Sequence, residues 1–381
     1  MDNPGMTIDT PIALLGGLSP RVFMRRHWQK KPLLIRQAIS AADLAVDRSG
    51  LFALASREGV ESRLVERRGA NWKLRHGPFS RRQLPPLSRA DWTLLVQGVD
   101  LHAPEVHELL SRFRFAPDVR LDDVMVSFAT DGGGVGPHFD SYDVFLLQLA
   151  GQREWRIGRT KNMAIVPDMP LKILEHFEPE HTWTLEPGDM LYLPPRWAHD
   201  GVARGECITA SIGFRAASRD EVGTAVLQRM LDGIDEPCES PLYRDPDQPA
   251  TDEPGRIPPA LAAFAADAVR RIVEEPRSLD CALGEWLSEP KPQVWFDALG
   301  EMAQRGAIVL DRRSRMLYDD HHVFINGESF MAAGRDATLM RRLADRRALD
   351  AAAVSKLSAP AWELVQSWVD QGWLHPATDE A

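Results

Sequence analysis

The sequence predicts an α+β protein: a small barrel of short strands preceded by helices, then a helical region, then a C-terminal module of the winged-helix kind. Three observations carry that reading. Between residues 122 and 214 the chain breaks into short apolar runs separated by Gly, Pro and Asp, the pattern of an all-β barrel or sandwich. On either side of that stretch, apolar residues recur at helical spacing instead. After Pro290-Lys291-Pro292, short helices alternate with two strand-like pieces and an Asn326-Gly327 turn.

Taken in order, Ser19 is placed to cap a helix with Pro20 at its first position and Pro32 as its stop. Residues 33–36 read as a short strand and 40–55 as two short helices. Residues 63–74 read as two strands about Arg68-Gly69, and 92–98 and 107–113 as apolar segments of undecided type. The barrel strands are expected at 124–129, 144–149, 153–158, 182–185, 190–193 and 206–214. Ala150-Gly151-Gln152 is expected to be a tight connection between the second and third of these. Ser218 is a candidate cap for a helix over 218–232. Residues 237–259 carry seven prolines and read as a linker. Helices are expected at 261–275, 279–287, 336–346 and 359–371, and strands at 307–310 and 322–325. The resulting division is 1–215, with a barrel core from about residue 90, then 216–290 and 291–381.

Composition narrows the function. No run among the 381 residues approaches the ~18–20 apolar residues of a membrane span, and no secretory signal opens the chain. Cys207, Cys238 and Cys281 are odd in number and widely spaced, which fits neither a disulfide framework nor a zinc site and points to the cytoplasm. The net charge of −10 is concentrated. Residues 1–215 hold 27 basic and 26 acidic residues, 216–290 hold 7 and 16, and 291–381 hold 11 and 13. That argues against a general nucleic-acid binder, and against DNA binding by the C-terminal module, where Asp345 and Asp350 dilute the Arg341, Arg342, Arg346 and Arg347 patch.

The chemistry sits between Gly132 and His199. His138 and Asp140 are two apart, so on a strand they share a face. Glu186-Pro187-Gly188-Asp189 makes a turn, residues 190–193 a strand, and Pro194-Pro195 stiffens the approach to His199. A second strand ending in His199 brings a third ligand to the same point. Two imidazoles and a carboxylate form a facial triad that leaves three metal positions open, an arrangement suited to Fe(II), O₂ and a bidentate co-substrate. An inward-facing triad on short strands is the double-stranded β-helix, or cupin, architecture. On residues alone, Arg153 is either a solvated arginine between Gln152 and Glu154 or the partner of a buried carboxylate. Ser211 shares an alternate face with Thr209 and Cys207, where its hydroxyl either bonds a co-substrate or is satisfied within the barrel.

These motifs, with residues 23–36, 92–100, 123–156, 213–215 and 243–247, resemble the Jumonji-C oxygenases, and among them the bacterial ribosomal oxygenases. The resemblance is dense in the catalytic half and thin in the C-terminal half. It implies a Jumonji-C barrel over 1–215, a helical dimerisation region over 216–290 and a winged-helix-like domain over 291–381. It implies Fe(II) held by His138, Asp140 and His199 as the catalytic metal ligands. Arg153 would bind 2-oxoglutarate, with Ser211 as a further contact. The implied reaction is O₂-dependent 3-hydroxylation of an arginine in large-subunit ribosomal protein sixteen, with release of succinate and CO₂, by a homodimer. A histidine-directed or other hydroxylase on the same fold, and a non-catalytic ribosome-assembly or peptide-binding module, are the alternatives. Tyr142, Asp143 and Asp200 are candidates for the pocket rim, although each taken singly reads as structural before substrate-binding.

Overall fold

The computed structural model describes residues 7–40, 46–160, 162–232, 241–274, 276–298, 300, 302 and 304–377. The chain forms two compact units, Met1–Ala216 and Ala217–Ala381.

The first unit holds α1 (Pro20–Arg26), β1 (Leu33–Ile35), α2 (Arg48–Ala55), β2 (Ser62–Arg68), β3 (Asn71–His76), β4 (Trp92–Val96), α3 (Pro104–Ser111) and β5 (Leu121–Ala129). It continues with β6 (His138–Phe139), β7 (Val144–Arg159), β8 (His181–Leu185), β9 (Met190–Leu193) and β10 (Trp197–Phe214). Ser19 caps α1 by accepting from the Val22 amide. The helix ends at His27 rather than at Pro32, because the chain turns at Gln29, whose φ is 54°. Only one helix, capped by Asp47, lies in the described part of 40–55; residues 41–45 are outside it.

Two long strands organise the barrel. The first half of β7 pairs with β9 and the second half with β8. Likewise β10 pairs β6 and the far half of β7 near its start, and β5 near its end. Each long strand therefore serves both halves of a double-stranded β-helix. The full order is β1-β9-β7-β10-β5-β4-β2-β3, with β6 on β10 and β8 on β7. Residues 150–152 are consequently not a hairpin connection, as the sequence suggested. β7 runs straight through them, and the register slips between Arg204 and Ile208 on β10. Gly151 takes a φ of +62° there, and a Cβ on it would lie 2.1 Å from the Glu206 carbonyl oxygen. A local glycine signal reads alike for a turn and a bulge; the long-range partner strand decides between them.

One face of this sheet packs an aromatic core of Phe23, Phe113, Phe128, Phe145, Tyr192 and Phe214. Phe23 is fully buried, with its ring 4.9 Å from that of Tyr192 in an edge-on contact. This core fixes α1 and α3 to the outside of the barrel and leaves the opposite face for the site.

The second unit contains α4 (Arg219–Asp232), α5 (Pro259–Glu274), α6 (Pro276–Ser288), β11 (Ile308–Leu310), β12 (Met316–Tyr318), β13 (His322–Ile325) and β14 (Glu328–Met331). It closes with α7 (Gly334–Arg346), β15 (Ala348–Leu349), α8 (Ala351–Val354), α9 (Ala359–Asp370) and β16 (Leu374–Pro376). Ser218 and Glu221 bond each other's backbone amides at the start of α4, a capping box. The small strands form two three-stranded sheets, β15-β11-β16 and β12-β13-β14. Asn326-Gly327 makes the β13–β14 turn with both φ values positive. Four of these six strands were not read from the sequence, because two to four residues carry too little alternation. α6 lies on β13: a Cβ at Gly284 would be 2.3 Å from the Phe324 ring.

Candidate active site

A run of glycines brings the chain into the site. Gly132 and Gly136 have φ of +71° and +81°, and a Cβ on Gly134 would sit 2.5 Å from the Gly201 carbonyl oxygen. Only a chain without side chains there can lie this close to β10. The run delivers β6, on which His138 stands directly opposite His199 of β10. The two rings are 4.2 Å apart between centroids. Asp140 follows just past β6, its Oδ2 3.7 Å from Nε2 of His199. One donor atom from each of His138, Asp140 and His199 lies within 4.8 Å of the others. His199 is the third residue of β10, reached through a turn at Pro194–Arg196, so it stands near the start of a strand and does not end one as expected.

Hydrogen bonds set the two imidazoles. Nδ1 of His138 meets the Gly136 carbonyl at 2.9 Å, and Nδ1 of His199 meets the Trp197 carbonyl at 3.0 Å. A carbonyl only accepts, so each ring carries its proton on Nδ1. Each Nε2 lone pair is then free to ligate. Burial, and next the neighbouring His138, push the His199 pKa below the ordinary imidazole range against the opposing pull of Asp140. A neutral buried imidazole is the form a metal takes.

Arg153 lies on the same face. It stands on β7 opposite Ala203, while Ile157, four residues on, stands opposite His199. That offset is roughly 13 Å along the strand, a span that a long side chain and a five-carbon dicarboxylate fill together. Arg153 is 5% exposed. Its Nη1 donates to Ser127 Oγ at 3.5 Å, whereas Nε and Nη2 have no partner among the described residues. A guanidinium keeps its charge, so a buried one with free donors calls for an anion.

Trp155 joins these groups. Its ring is 5.8 Å from that of His199, and the Arg153 guanidinium lies 5.7 Å from its centroid. It fits only because Gly201 faces it, where a Cβ would come within 2.6 Å of the indole. Neither Trp155, Gly201 nor Ser127 was singled out in the sequence. Alternation from Arg153 points to Trp155, but nothing local marks the other two.

Ser211 is half-buried on β10 opposite Leu146 and Met125, and its side chain makes no hydrogen bond among the described residues. On the same alternate face, Thr209 donates to Gln148 Oε1 at 3.0 Å and pairs across the ladder with Ser127. Of the three rim candidates, Asp143 is misplaced. It is wholly buried and accepts from Tyr192 Oη at 2.6 Å, Gln29 Nε2 at 3.0 Å and Arg120 Nη2 at 3.4 Å, so it braces the fold. Tyr142 is exposed, and Asp200 lies 3.8 Å from Arg156 Nη1. Cys207 and Cys281 are free, and Cys238 lies outside the described residues.

In comparison with known proteins, residues 108–222 match the family described as JmjC domain, and residues 266–375 match the ROXA-like winged helix. The chain is 33% identical over 330 residues to the ribosomal protein uL16 3-hydroxylase of Escherichia coli K12, covering 83% of this chain and 86% of that one. It is 28% identical over 398 residues to a probable ribosomal oxygenase of Haemophilus influenzae, covering 93% and 96%. Among solved structures, that of YcfD, a ribosomal oxygenase from Escherichia coli in complex with cobalt and 2-oxoglutarate, superposes with a TM-score of 0.77. The identity there is 30%, over 94% of this chain and 98% of that one.

Proposed function

The chain belongs to the JmjC ribosomal oxygenases, and on that premise we propose that it hydroxylates C3 of an arginine side chain in ribosomal protein uL16, the large-subunit protein sixteen. It is a 2-oxoglutarate-dependent oxygenase that uses Fe(II) and O₂.

The residues present fit that pair of groups. Two neutral imidazoles and a carboxylate converge on one point, and a buried arginine with two free donors lies on the same face. The single observation that carries the reading is this combination, since a binding module needs neither part. When bound, Fe(II) and 2-oxoglutarate supply the oxidising power: with O₂ they place one oxygen atom on an aliphatic C–H and the other in succinate, with loss of CO₂. The chain's own residues hold and orient. His138, Asp140 and His199 would hold the ion, and three protein donors would leave it able to take the co-substrate and O₂. Arg153 offers its fork to the far carboxylate of 2-oxoglutarate. Trp155 walls the site against water and keeps Arg153 and His199 in place. Ser211 presents a hydroxyl from the neighbouring strand, and Tyr142 and Asp200 flank the triad in sequence where the target side chain approaches.

The remaining assignments belong to the same proposal. Residues 216–290 form a dimerisation region and 291–381 a winged-helix-like domain. α5 leaves Leu261, Phe264, Val269 and Val273 between 38% and 62% exposed, an apolar stripe suited to a second copy of the chain. No helix among the described residues is long and apolar enough to cross a membrane. The proposed ribosomal substrate assigns the enzyme to the cytoplasm. The winged-helix-like domain is not assigned to DNA, given its 11 basic and 13 acidic residues.

The test is mass spectrometry of uL16 incubated anaerobically with the protein, Fe(II) and 2-oxoglutarate, then exposed to O₂. The expected result is one added oxygen on an arginine, lost in His138→Ala. Addition on a histidine would reassign the target. Succinate without modified uL16 would reject the substrate, and neither product would leave a binding module.

A further inference from the structure

The overall negative charge hides a basic face on the sheet edge farthest from β1. Between residues 63 and 90 there are eight Lys and Arg against one carboxylate, Glu66. Glu66 is occupied by Arg75 at 3.5 Å and Arg89 at 2.8 Å, and the flanking Asp91 by Arg67 at 2.6 Å. Arg68, Lys73 and Arg82 are exposed and form no ion pair among the described residues. Ladder partners share a face. Arg68 stands opposite Asn71, and Lys73 opposite Glu66, so both cations lie on the side that packs α2. Arg67 and Trp72 lie on the other side, where Trp72 approaches Gly136 ahead of the triad. The free cations are thus turned away from the catalytic groups.

On their side of the sheet opens a cavity of about 410 Å³, lined by Arg48, Ser49, Phe52, Ser56, Arg81 and Leu87, with no carboxylate among its lining residues. Arg81 lies over the Phe52 ring at 5.4 Å. Arg48 is shared with Glu206, and Arg75 ties β3 to this segment by donating to the Gln83 carbonyl. A cavity with an aromatic floor, two guanidinium groups and two hydroxyls takes a base or sugar with its phosphate. The row of unpaired cations beside it follows a chain of phosphates.

We propose that the β2–β3 hairpin and this cavity form a binding site for single-stranded RNA, holding the enzyme on an RNA-bearing particle while the opposite face hydroxylates the protein. The choice of RNA over DNA rests on the ribosomal reading above; the polyanion site itself does not. The Ser49 hydroxyl donates to the Asp47 carboxylate and the Ser56 hydroxyl to the Ala53 carbonyl, each at 2.8 Å, so both are left as acceptors for a ribose 2′-OH. An acidic protein surface would satisfy the charges but leave the cavity unfilled.

The probe is a fluorescein-labelled 12-nucleotide oligouridylate, read by fluorescence anisotropy with the full chain. We expect binding that weakens with salt, with a logarithmic slope of about −2 to −3, as for three or four phosphate contacts on a single strand. The triple variant Arg68→Glu, Lys73→Glu, Arg82→Glu should bind at least tenfold more weakly with a shallower slope. Phe52→Leu should weaken binding severalfold while preserving the slope. All variants should melt as the parent does and hydroxylate a uL16 peptide at the parental rate. No binding at about 0.05 M salt, or equal binding by the triple variant, would overturn the site. Displacement by polyglutamate as readily as by unlabelled oligouridylate would reassign it to an acidic protein, and preference for the DNA oligonucleotide would remove RNA. Failure of the parent to modify the peptide with RNA binding intact would count against the ribosomal substrate, not against this site.

Discussion

At the scale of single residues, Arg153 separates two functions that the site combines. Its two free nitrogens face a need that a metal does not meet, so Arg153→Ala should leave Mn(II) or Co(II) affinity unchanged. The KM for 2-oxoglutarate should rise ten- to a hundredfold, the effect of losing a charge-assisted contact of about 1.5–3 kcal/mol. Arg153→Lys should recover part of that loss. Calorimetric titration of the metal alongside steady-state kinetics checks both, and lost metal affinity in the alanine variant would refute the division of roles. The triad residues were legible in the sequence because His138, Asp140 and His199 stand among turn glycines and prolines that admit few other readings. Asp143 was legible as structural, but not its partners: Tyr192, Gln29 and Arg120 come from segments distant in sequence. Gly201 was invisible for a similar reason, since its role is set by an indole on another strand.

At the scale of elements, local periodicity identified where strands exist but not how long they are. β7 and β10 were each read short, because a bulge at Gly151 and the register slip after Arg204 imitate ends. The small strands of the second unit show what holds an element too short to announce itself. Asp311 follows β11 and receives Arg313 through Nε at 2.8 Å and Nη2 at 3.0 Å. His375 of β16 lies 2.6 Å away, so one carboxylate ties two strands together. Burial opposes its ionisation, yet the Arg313 and His375 hydrogen bonds outweigh that and hold its pKa at about 2, below the usual 3.8. A carboxylate with a depressed folded-state pKa contributes stability that is complete above pH ~4 and disappears as pH falls toward 2. The contribution is about 2 kcal/mol. Urea unfolding should therefore separate the parent from Asp311→Asn clearly at pH 5 and much less at pH 2.5. An equal separation at both values would exclude this role.

At the scale of the whole molecule, an averaged charge count hides local structure. The count over 1–215 is nearly balanced and so conceals a segment, 63–90, with eight cations and one carboxylate. The apolar stripe on α5 is legible in the sequence as helical spacing, but not its exposure. Phe264→Asp with Val269→Asp should convert a dimer to a monomer in light scattering, and a monomeric parent would dismiss the assembly. The pairing of β1 with β9 has a consequence in time. Leu33 waits for Tyr192 and Ile35 for Met190, so more than 150 residues must be translated before the first strand has its neighbour. At ~5–20 residues per second that delay is roughly 10–30 s, during which Phe23 and the Leu33–Ile35 strip emerge without cover. The nascent chain thus exposes an apolar N-terminal segment for more than a third of its own synthesis, and a chaperone waiting at the exit tunnel would meet that segment first.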